Sequence, residues 1–529
     1  MGIIKKAFPA IFIAVLFSAN LIAQNNYNNL LPKNFDLYVA EVMKEFEVPG
    51  MAIGVVKDGK VILEKGYGIK EIGKQEKVDA NTLFPIASNS KAFTATALAL
   101  LVEEGKLEWD APVLNYLPWF RLSDSYVTEN LSIRDLMVHR SGIAPYAGDL
   151  LWYPATTYSR KEIVYRLRFL PLANSFRNKY AYDNVFYIVA AEVIKEVSGL
   201  EFEEFLSSRI FSAIGMNRSL SKITDFSKAS NKVSAHAHVN GSLKIISGDE
   251  GTGLTDVLNG AGGISSSVAE MNKWLITQLD SGRSGNGRVL FSQNTSRELW
   301  TGVVPIPTIK VNDWIKPAQA EAGSYALGFR IHYYRGEKMV THGGKLDGYV
   351  SYVNMIPGYN AGIVVLTNQE SSNAYRAIVN HIADHIMNKP SFDWLAGYIK
   401  EEARRFENYR NVESLAVLNR DENSKPLLPL KDYSGKFYDD WYGDISINYE
   451  NDKLIMKFEH TPQLRGEMEF WQFNSFIVKW YNRNLKADAY VTFSIDEKGK
   501  ITGIKMKAVS PVTDVSFDFH DLDIKPKKF

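Results

Sequence analysis

The sequence predicts a mixed α/β (α+β) protein: an antiparallel sheet flanked by helices and faced by a helical subdomain, then a small all-β barrel. Three observations predict it. Strand-like runs with hairpin turns occur near residue 50 and return between 326 and 367. Helical periodicity and Gly- and Pro-marked loops fill the stretch between, so one sheet assembled from both ends is the economical arrangement. After residue 429 short strands follow one another at even spacing, as in a closed barrel or sandwich. At 529 residues the chain has length for about two or three domains.

Taken in order, residues 1–23 read as a signal peptide. Lys5 and Lys6 form a positive start, Ala7 to Ile22 an apolar stretch, and Ala23 a small residue before a cut that leaves Gln24 first. The apolar run is short for a bilayer and holds Pro9 and Asn20, which argues against an uncleaved anchor. Asn25 to Asn34 reads as a polar spacer. Met51–Val56 and Lys60–Lys65 flank Asp58-Gly59 as a hairpin. Ser88 to Glu104 is helical, with Phe93, Ala97, Leu100 and Leu101 on one face and Gly105 at its end. A second helix runs from Asn184 to Val197, closed by Gly199. Strands are expected at Ala326–Tyr334, Lys338–His342, Gly348–Met355 and Ala361–Thr367, and a helix at Ser372–Met387.

A first domain therefore spans 24–390, a connector 391–428 with a helix at Lys400–Asn411, and a β domain 429–529. Strands in the last are read at Lys436–Tyr438, Ile445–Tyr449, Leu454–Phe458, Phe476–Tyr481, Ala489–Ile495 and Ile501–Ala508.

Composition excludes several classes of function. Net charge is +1, with both signs interspersed, so there is no electrostatic case for nucleic acid. Cysteine is absent, which removes disulfides, thiolate chemistry and Cys-ligated zinc. His381 and His385 are spaced i, i+4, but the residues between them are not those of a zinc helix, and His236 with His238 lacks a third partner. No metal or other cofactor is expected.

The sharpest local pattern is Ser88-Asn89-Ser90-Lys91 at a helix start. The i, i+3 spacing puts Ser88 and Lys91 on one face. A serine hydroxyl becomes a nucleophile when a neighbouring base takes its proton, and a lysine serves once burial lowers its pKa. Alone, the pattern is common by chance and reads sooner as a helix cap at Ser88 or Ser90 than as a catalytic pair. Two further clusters lie downstream in order: Tyr182-Asp183-Asn184 before a helix, and His342-Gly343-Gly344 where one strand ends.

With these three motifs, the Phe84–Lys91 stretch, His139-Arg140-Ser141-Gly142 and Ala261-Gly262-Gly263, the chain resembles the serine β-lactamase and penicillin-recognising family. The likeness is to its class C, D-aminopeptidase and esterase branch, and covers about 350 residues. It implies a β-lactamase/transpeptidase-like fold in which Ser88 forms an acyl-enzyme and Lys91 takes its proton. Tyr182 would be the second acid/base, as a phenolate beside Lys91 or within a shared proton network. Asn184 would hydrogen-bond Lys91 or the substrate, and the backbone N–H groups of Ser88 and Lys345 would form the oxyanion hole beside Gly344. The C-terminal part, with Trp441-Tyr442-Gly443 and Phe470–Phe473, resembles the lipocalin-like barrel appended in that branch, expected to cover the cleft or mediate assembly.

One departure bears on substrate. The family's Lys-Thr-Gly is here His342-Gly343-Gly344, without the fixed cation and hydroxyl that suit a substrate carboxylate. The implied function is an exported, periplasmic or secreted bacterial serine hydrolase for an ester, an amide or a D-amino-acid peptide. Left open are a β-lactamase, a D-Ala-D-Ala carboxypeptidase and a non-hydrolytic penicillin-recognising receptor. A small-molecule or peptide substrate is the expected partner, and a homo-oligomer is compatible with the sequence.

Overall fold

A computed structural model describes residues 30–239, 241–247 and 253–527. The signal-peptide reading and the first half of the Asn-rich spacer, 25–29, lie outside these residues. The helices that place the site are α1 (Phe35–Glu45), α2 (Ser90–Glu103), α3 (Val185–Ser198), α4 (Val268–Leu279), α5 (Ser372–Ile386) and α6 (Trp394–Leu418).

The larger sheet is fully antiparallel and comes from both ends of the first part, as expected. Its strands are β1 (Gly50–Lys57), β2 (Lys60–Gly68), β3 (Val304–Pro305), β4 (Ala320–Tyr325), β5 (Arg330–Tyr334), β6 (Glu337–Leu346), β7 (Tyr349–Ile356) and β8 (Ala361–Thr367). Their order is β2-β1-β8-β7-β6-β5-β4-β3, so the N-terminal hairpin joins through β1 against β8. Side chains alternate across the central strands. Ile53, Val55, Ile363 and Val365 pack toward α1 and α5. Ala52, Val56, Val364 and Leu366 face α4 and the helical subdomain.

The structure corrects several boundaries. The predicted strand Ala326–Tyr334 begins only at Arg330, because residues 326–329 form a tight turn closed by Ala326 N–H donating to Phe329 O (2.8 Å). The strand predicted to end at His342 continues through both glycines to Leu346. Helix α1 was not foreseen, although Phe35, Val39 and Val42 give it a buried stripe. Helix α2 is buried all round from Ser90 to Leu101, because it runs through the core between sheet and helical subdomain. The connector holds a helix of 25 residues rather than the shorter one expected. Asp393 caps it by accepting from Ala396 N–H (3.0 Å), and buried Trp394 and Tyr398 anchor its first turns.

The C-terminal domain is a nearly closed antiparallel barrel. Its strands are β9 (Gly435–Asp439), β10 (Gly443–Glu450), β11 (Lys453–Phe458), β12 (Arg465–Gln472), β13 (Ser475–Trp480), β14 (Ala489–Ile495), β15 (Ile501–Ala508) and β16 (Lys525–Pro526). Their order is β15-β14-β13-β12-β11-β10-β9-β16. Closure comes where Ile504 N–H donates to Ile524 O at 2.8 Å. Two strands, β12 and β16, were missed from sequence. The apolar cluster of the helical subdomain continues without a break into the barrel interior. Polar bonds cross the same boundary: Tyr158 Oη donates to Tyr442 O (2.5 Å), Thr157 N–H to His460 O (2.9 Å), and Lys486 pairs with Glu370 (2.7 Å).

Candidate active site

Ser88 lies in a single helical turn, Ala87–Asn89, that feeds directly into α2. Ala87 has φ +48°, a left-handed conformation that costs a non-glycine residue about 1–2 kcal/mol. The turn is held against the edge of β6 and β7. Ser351 Oγ donates to Ile86 O (2.7 Å) and accepts from Asn89 Nδ2 (2.8 Å). Gly344 makes this approach possible, since a Cβ there would fall 2.2 Å from Ile86 O.

Lys91 Nζ is wholly buried and has three partners: Asn184 Oδ1 (2.8 Å), Ala261 O (2.9 Å) and Ser88 Oγ (3.1 Å). Burial, aided by the Arg330 charge and opposed by Asp149, lowers its pKa to about 7. A neutral amine has two N–H groups and one lone pair. The two oxygens of Asn184 and Ala261 can only accept, so the lone pair is left for the Ser88 hydroxyl. Ser88 itself is partly open to the cleft.

Each neighbour is placed by local structure. Ala261 belongs to a turn whose Gly260 abuts α3, where a Cβ would lie 2.2 Å from Tyr187 O. Asn184 occupies the cap position of α3 but makes no cap bond; its side chain spans Lys91 and Asp149 instead. Tyr182 is held through its neighbour: Asp183 N–H donates to His139 Nδ1 (3.0 Å), and the His139 ring lies against the Tyr182 ring at 4.3 Å, tilted by 35°. Lys91 Nζ stands 4.9 Å from that ring centre. Burial raises the Tyr182 hydroxyl well above its usual 10, although Ser88 and Arg330 oppose this, so the resting group is a phenol.

His342 is buried, and desolvation lowers its pKa well below 6.5. Its Nδ1 can only donate to Gly343 O (2.8 Å), which leaves Nε2 to accept from Tyr325 Oη (2.8 Å). The third motif therefore carries a neutral imidazole. Lys345 extends from the same edge, its ammonium paired with Asp514 of the barrel (2.9 Å).

These residues line one cleft of about 460 Å³. Ser88, Tyr182, Asn184, His342, Gly344 and Lys345 all border it, and Lys91 lies just behind. Sequence reasoning missed several others: Tyr146, Arg330 and Arg376 from the first domain, and Asp514, Val515 and Ser516 from the barrel. Asp149, buried beneath Asn184, was missed as well. Arg330 faces the rings of Tyr180, Tyr182 and Tyr325 at 5.5–5.7 Å, and among the described residues it forms no ion pair with a carboxylate.

The metal candidates are engaged elsewhere. His236 Nε2 accepts from Ile72 N–H (3.1 Å) and its Nδ1 donates to Asn368 O (2.9 Å), while His381 stacks on Tyr38 at 4.1 Å. Among the described residues no three metal-ligating side chains converge, and no helix is long and apolar enough to cross a membrane.

Comparison with known proteins agrees with this architecture. The family model described as Beta-lactamase matches residues 35–386, and one described as a domain of unknown function (DUF3471) matches 419–526. The chain is 27% identical over 459 residues to a protein of Aspergillus violaceofuscus named unguisins hydrolase ungD, covering 80% of this chain and 78% of that one. It is 24% identical to protein flp of Staphylococcus aureus, over 71% of this chain and 70% of that protein. Among solved structures, the octameric penicillin-binding protein homologue from Pyrococcus abyssi aligns with TM-score 0.58 at 20% identity, over 93% of this chain and 98% of its own. A class C β-lactamase from Rhodobacter sphaeroides aligns with TM-score 0.53 at 20% identity, over 67% and 100%.

Proposed function

The chain belongs to the beta-lactamase family of serine hydrolases, and from that membership we propose that it cleaves an ester, amide or D-amino-acid peptide through an acyl-enzyme on Ser88. The observation that carries this reading is the buried Lys91 amine, its pKa lowered to about 7, standing 3.1 Å from Ser88 Oγ with Asn184 Oδ1 and Ala261 O taking its other two positions.

In this reading Ser88 Oγ forms a bond to the substrate's acyl carbon as its proton passes to Lys91. The backbone N–H groups of Ser88 and Lys345 stabilise the oxyanion, aided by the helix start. The leaving group departs with a proton relayed through Tyr182. Water then attacks the ester, giving up its proton to the same network, and Ser88 is restored. The name of the Aspergillus relative, a hydrolase, agrees with turnover rather than binding alone.

Arg330 favours a second reading within the same chemistry. A guanidinium beside the cleft without a carboxylate partner can receive an anionic substrate group, which the neutral third motif does not. That supports β-lactamase or D-Ala-D-Ala carboxypeptidase action. Export and assembly complete the proposal: residues 1–23 carry the features of a signal peptide, and an octameric structural relative makes a homo-oligomer reasonable.

Hydrolysis of a short-chain nitrophenyl ester by the mature protein and by Ser88→Ala tests the central claim. Turnover should fall at least about a thousandfold in the variant, as for loss of a nucleophile. Equal rates would exclude the acyl-enzyme, and a stable adduct without turnover would point to a receptor.

A further inference from the structure

Beneath the catalytic lysine runs a line of buried hydrogen bonds that ends in the other domain. Lys91 Nζ donates to Asn184 Oδ1 (2.8 Å), and Asn184 Nδ2 donates to Asp149 Oδ2 (2.8 Å). The same carboxylate oxygen accepts from Ser516 Oγ of the barrel (2.8 Å), and Asp149 Oδ1 accepts from Trp152 Nε1 (2.8 Å). The loop carrying Asp149 is itself clamped by the barrel, since Asp518 accepts from Gly148 N–H (2.7 Å) and Leu150 N–H (3.2 Å). All of these bonds are buried.

We propose that Asp149 is a positioning residue for the lysine base, and that the barrel segment 514–518 holds it there, so the C-terminal domain completes the hydrolase site. This rests on the reading of Lys91 as the base of Ser88. The argument is one of donors and acceptors. An amide can present either its oxygen or its NH₂ to Lys91, and a lysine acting as base needs an acceptor there. Three donors converge on the two oxygens of Asp149, from Asn184, Trp152 and Ser516, and a carboxylate alone accepts them all. Asp149 thereby turns the Asn184 NH₂ away from Lys91 and its oxygen toward it. An asparagine at 149 would set its own NH₂ against Trp152 or against Asn184 and Ser516.

The groups facing this line are few. Around Lys91 stand Asp149, Arg330, Tyr182, Tyr187, His139 and His342. Around Asp149 stand Lys91, Asp183, Asp518 and Tyr146. Buried Asp183 and Asp518 are raised well above the usual carboxylate range, and Asp149 to about 7, chiefly by burial. The Asp149 charge raises the Lys91 pKa, so removing it makes the amine neutral at lower pH.

The rate at which a fluorophosphonate labels Ser88 in the full-length protein, followed against pH, tests this without a known substrate. The Ser88 Oγ–P bond forms, the P–F bond breaks, fluoride leaves, and the serine proton passes to Lys91. In the wild type the rate should climb through Lys91's pKa. Asp149→Asn should lower the plateau about tenfold, as for a base held slightly out of place, and move the midpoint down by about half a pH unit, the effect of one nearby charge. Ser516→Ala should do the same more weakly, about two- to threefold, because losing that bond favours neutral Asp149. Should Asp149→Asn fail to fold, judged by its melting profile, Ser516→Ala decides. Slower labelling with unmoved midpoints, or no change, would overturn the proposal and leave Asp149 a structural residue. Absence of labelling on Ser88 in the wild type would instead sink the underlying serine–lysine reading, and the proposal with it.

Discussion

The cleft and the barrel interior are both buried, yet they are filled by opposite means. Behind Ser88 the burial is polar: Lys91, Asp149, Asp183, His139 and His342 are all out of solvent. Inside the barrel it is aromatic, with Tyr433, Phe458, Phe476, Trp480, Phe493 and Phe519 packed largely edge to face at 4.8–6.2 Å. Most donors and acceptors there are paired, His139 Nε2 and Asp183 Oδ1 being exceptions, and the charge is trimmed by shifted pKa values. The ring faces need no such matching, and the polar tips of Tyr433 and Trp480 meet Leu428 N–H and Ala487 O. The difference separates the two regions: the polar burial gathers behind Ser88, and the aromatic barrel meets the cleft at its rim, 514–518.

Lys91→Met breaks the comparison most severely. The variant keeps the bulk of the side chain and removes the base, so kcat should fall about a thousandfold, within the range for general-base loss, with little change in the far-UV spectrum. In the wild type, activity should rise as pH passes about 7, because Lys91 must lose its proton to act. Next comes Trp480→Ala, which empties a wholly buried site in the barrel. It should lower stability in a denaturant titration by about 3–5 kcal/mol, while kcat per folded molecule changes far less than in Lys91→Met. A matching collapse of activity in the folded variant would mean that the barrel's role is not confined to its rim. The smallest effect expected is that of Tyr325→Phe, which takes the donor from His342 Nε2. A buried acceptor left unpaired costs about 1–3 kcal/mol, to be read in the melting midpoint and in a several-fold change of kcat/KM.

Much of this was legible beforehand because the motifs are local. Ser88 and Lys91 share one helical turn, and the resemblance carried by three ordered motifs grouped Tyr182, Asn184 and His342 with them. The sheet announced itself by alternation and turns, and six of the barrel strands did likewise. What stayed hidden depends on pairing across the chain. Arg330 reaches the cleft because β5 lies opposite β6, with Arg330 across from Thr341, which no run of residues reveals. Asp149 is a loop carboxylate whose meaning comes from Ser516, far along the chain. Strand β12 was missed because its outward positions carry Arg465, Glu467 and Glu469, and its inward ones begin with Gly466. Helix α1 could have been found, since Phe35, Val39 and Val42 recur at helical spacing.

The apolar cluster that runs from α3 and its neighbours into the barrel is shared by the two domains, so they are expected to melt together. Neither half can open without exposing hydrocarbon belonging to the other, so one heat-absorption peak is expected rather than two. For anyone wishing to trade modules between relatives, the seam to cut is therefore not the linking helix α6. It is the surface where Tyr158, Phe517 and their neighbours interlock, and a transplanted barrel would have to bring its matching face along.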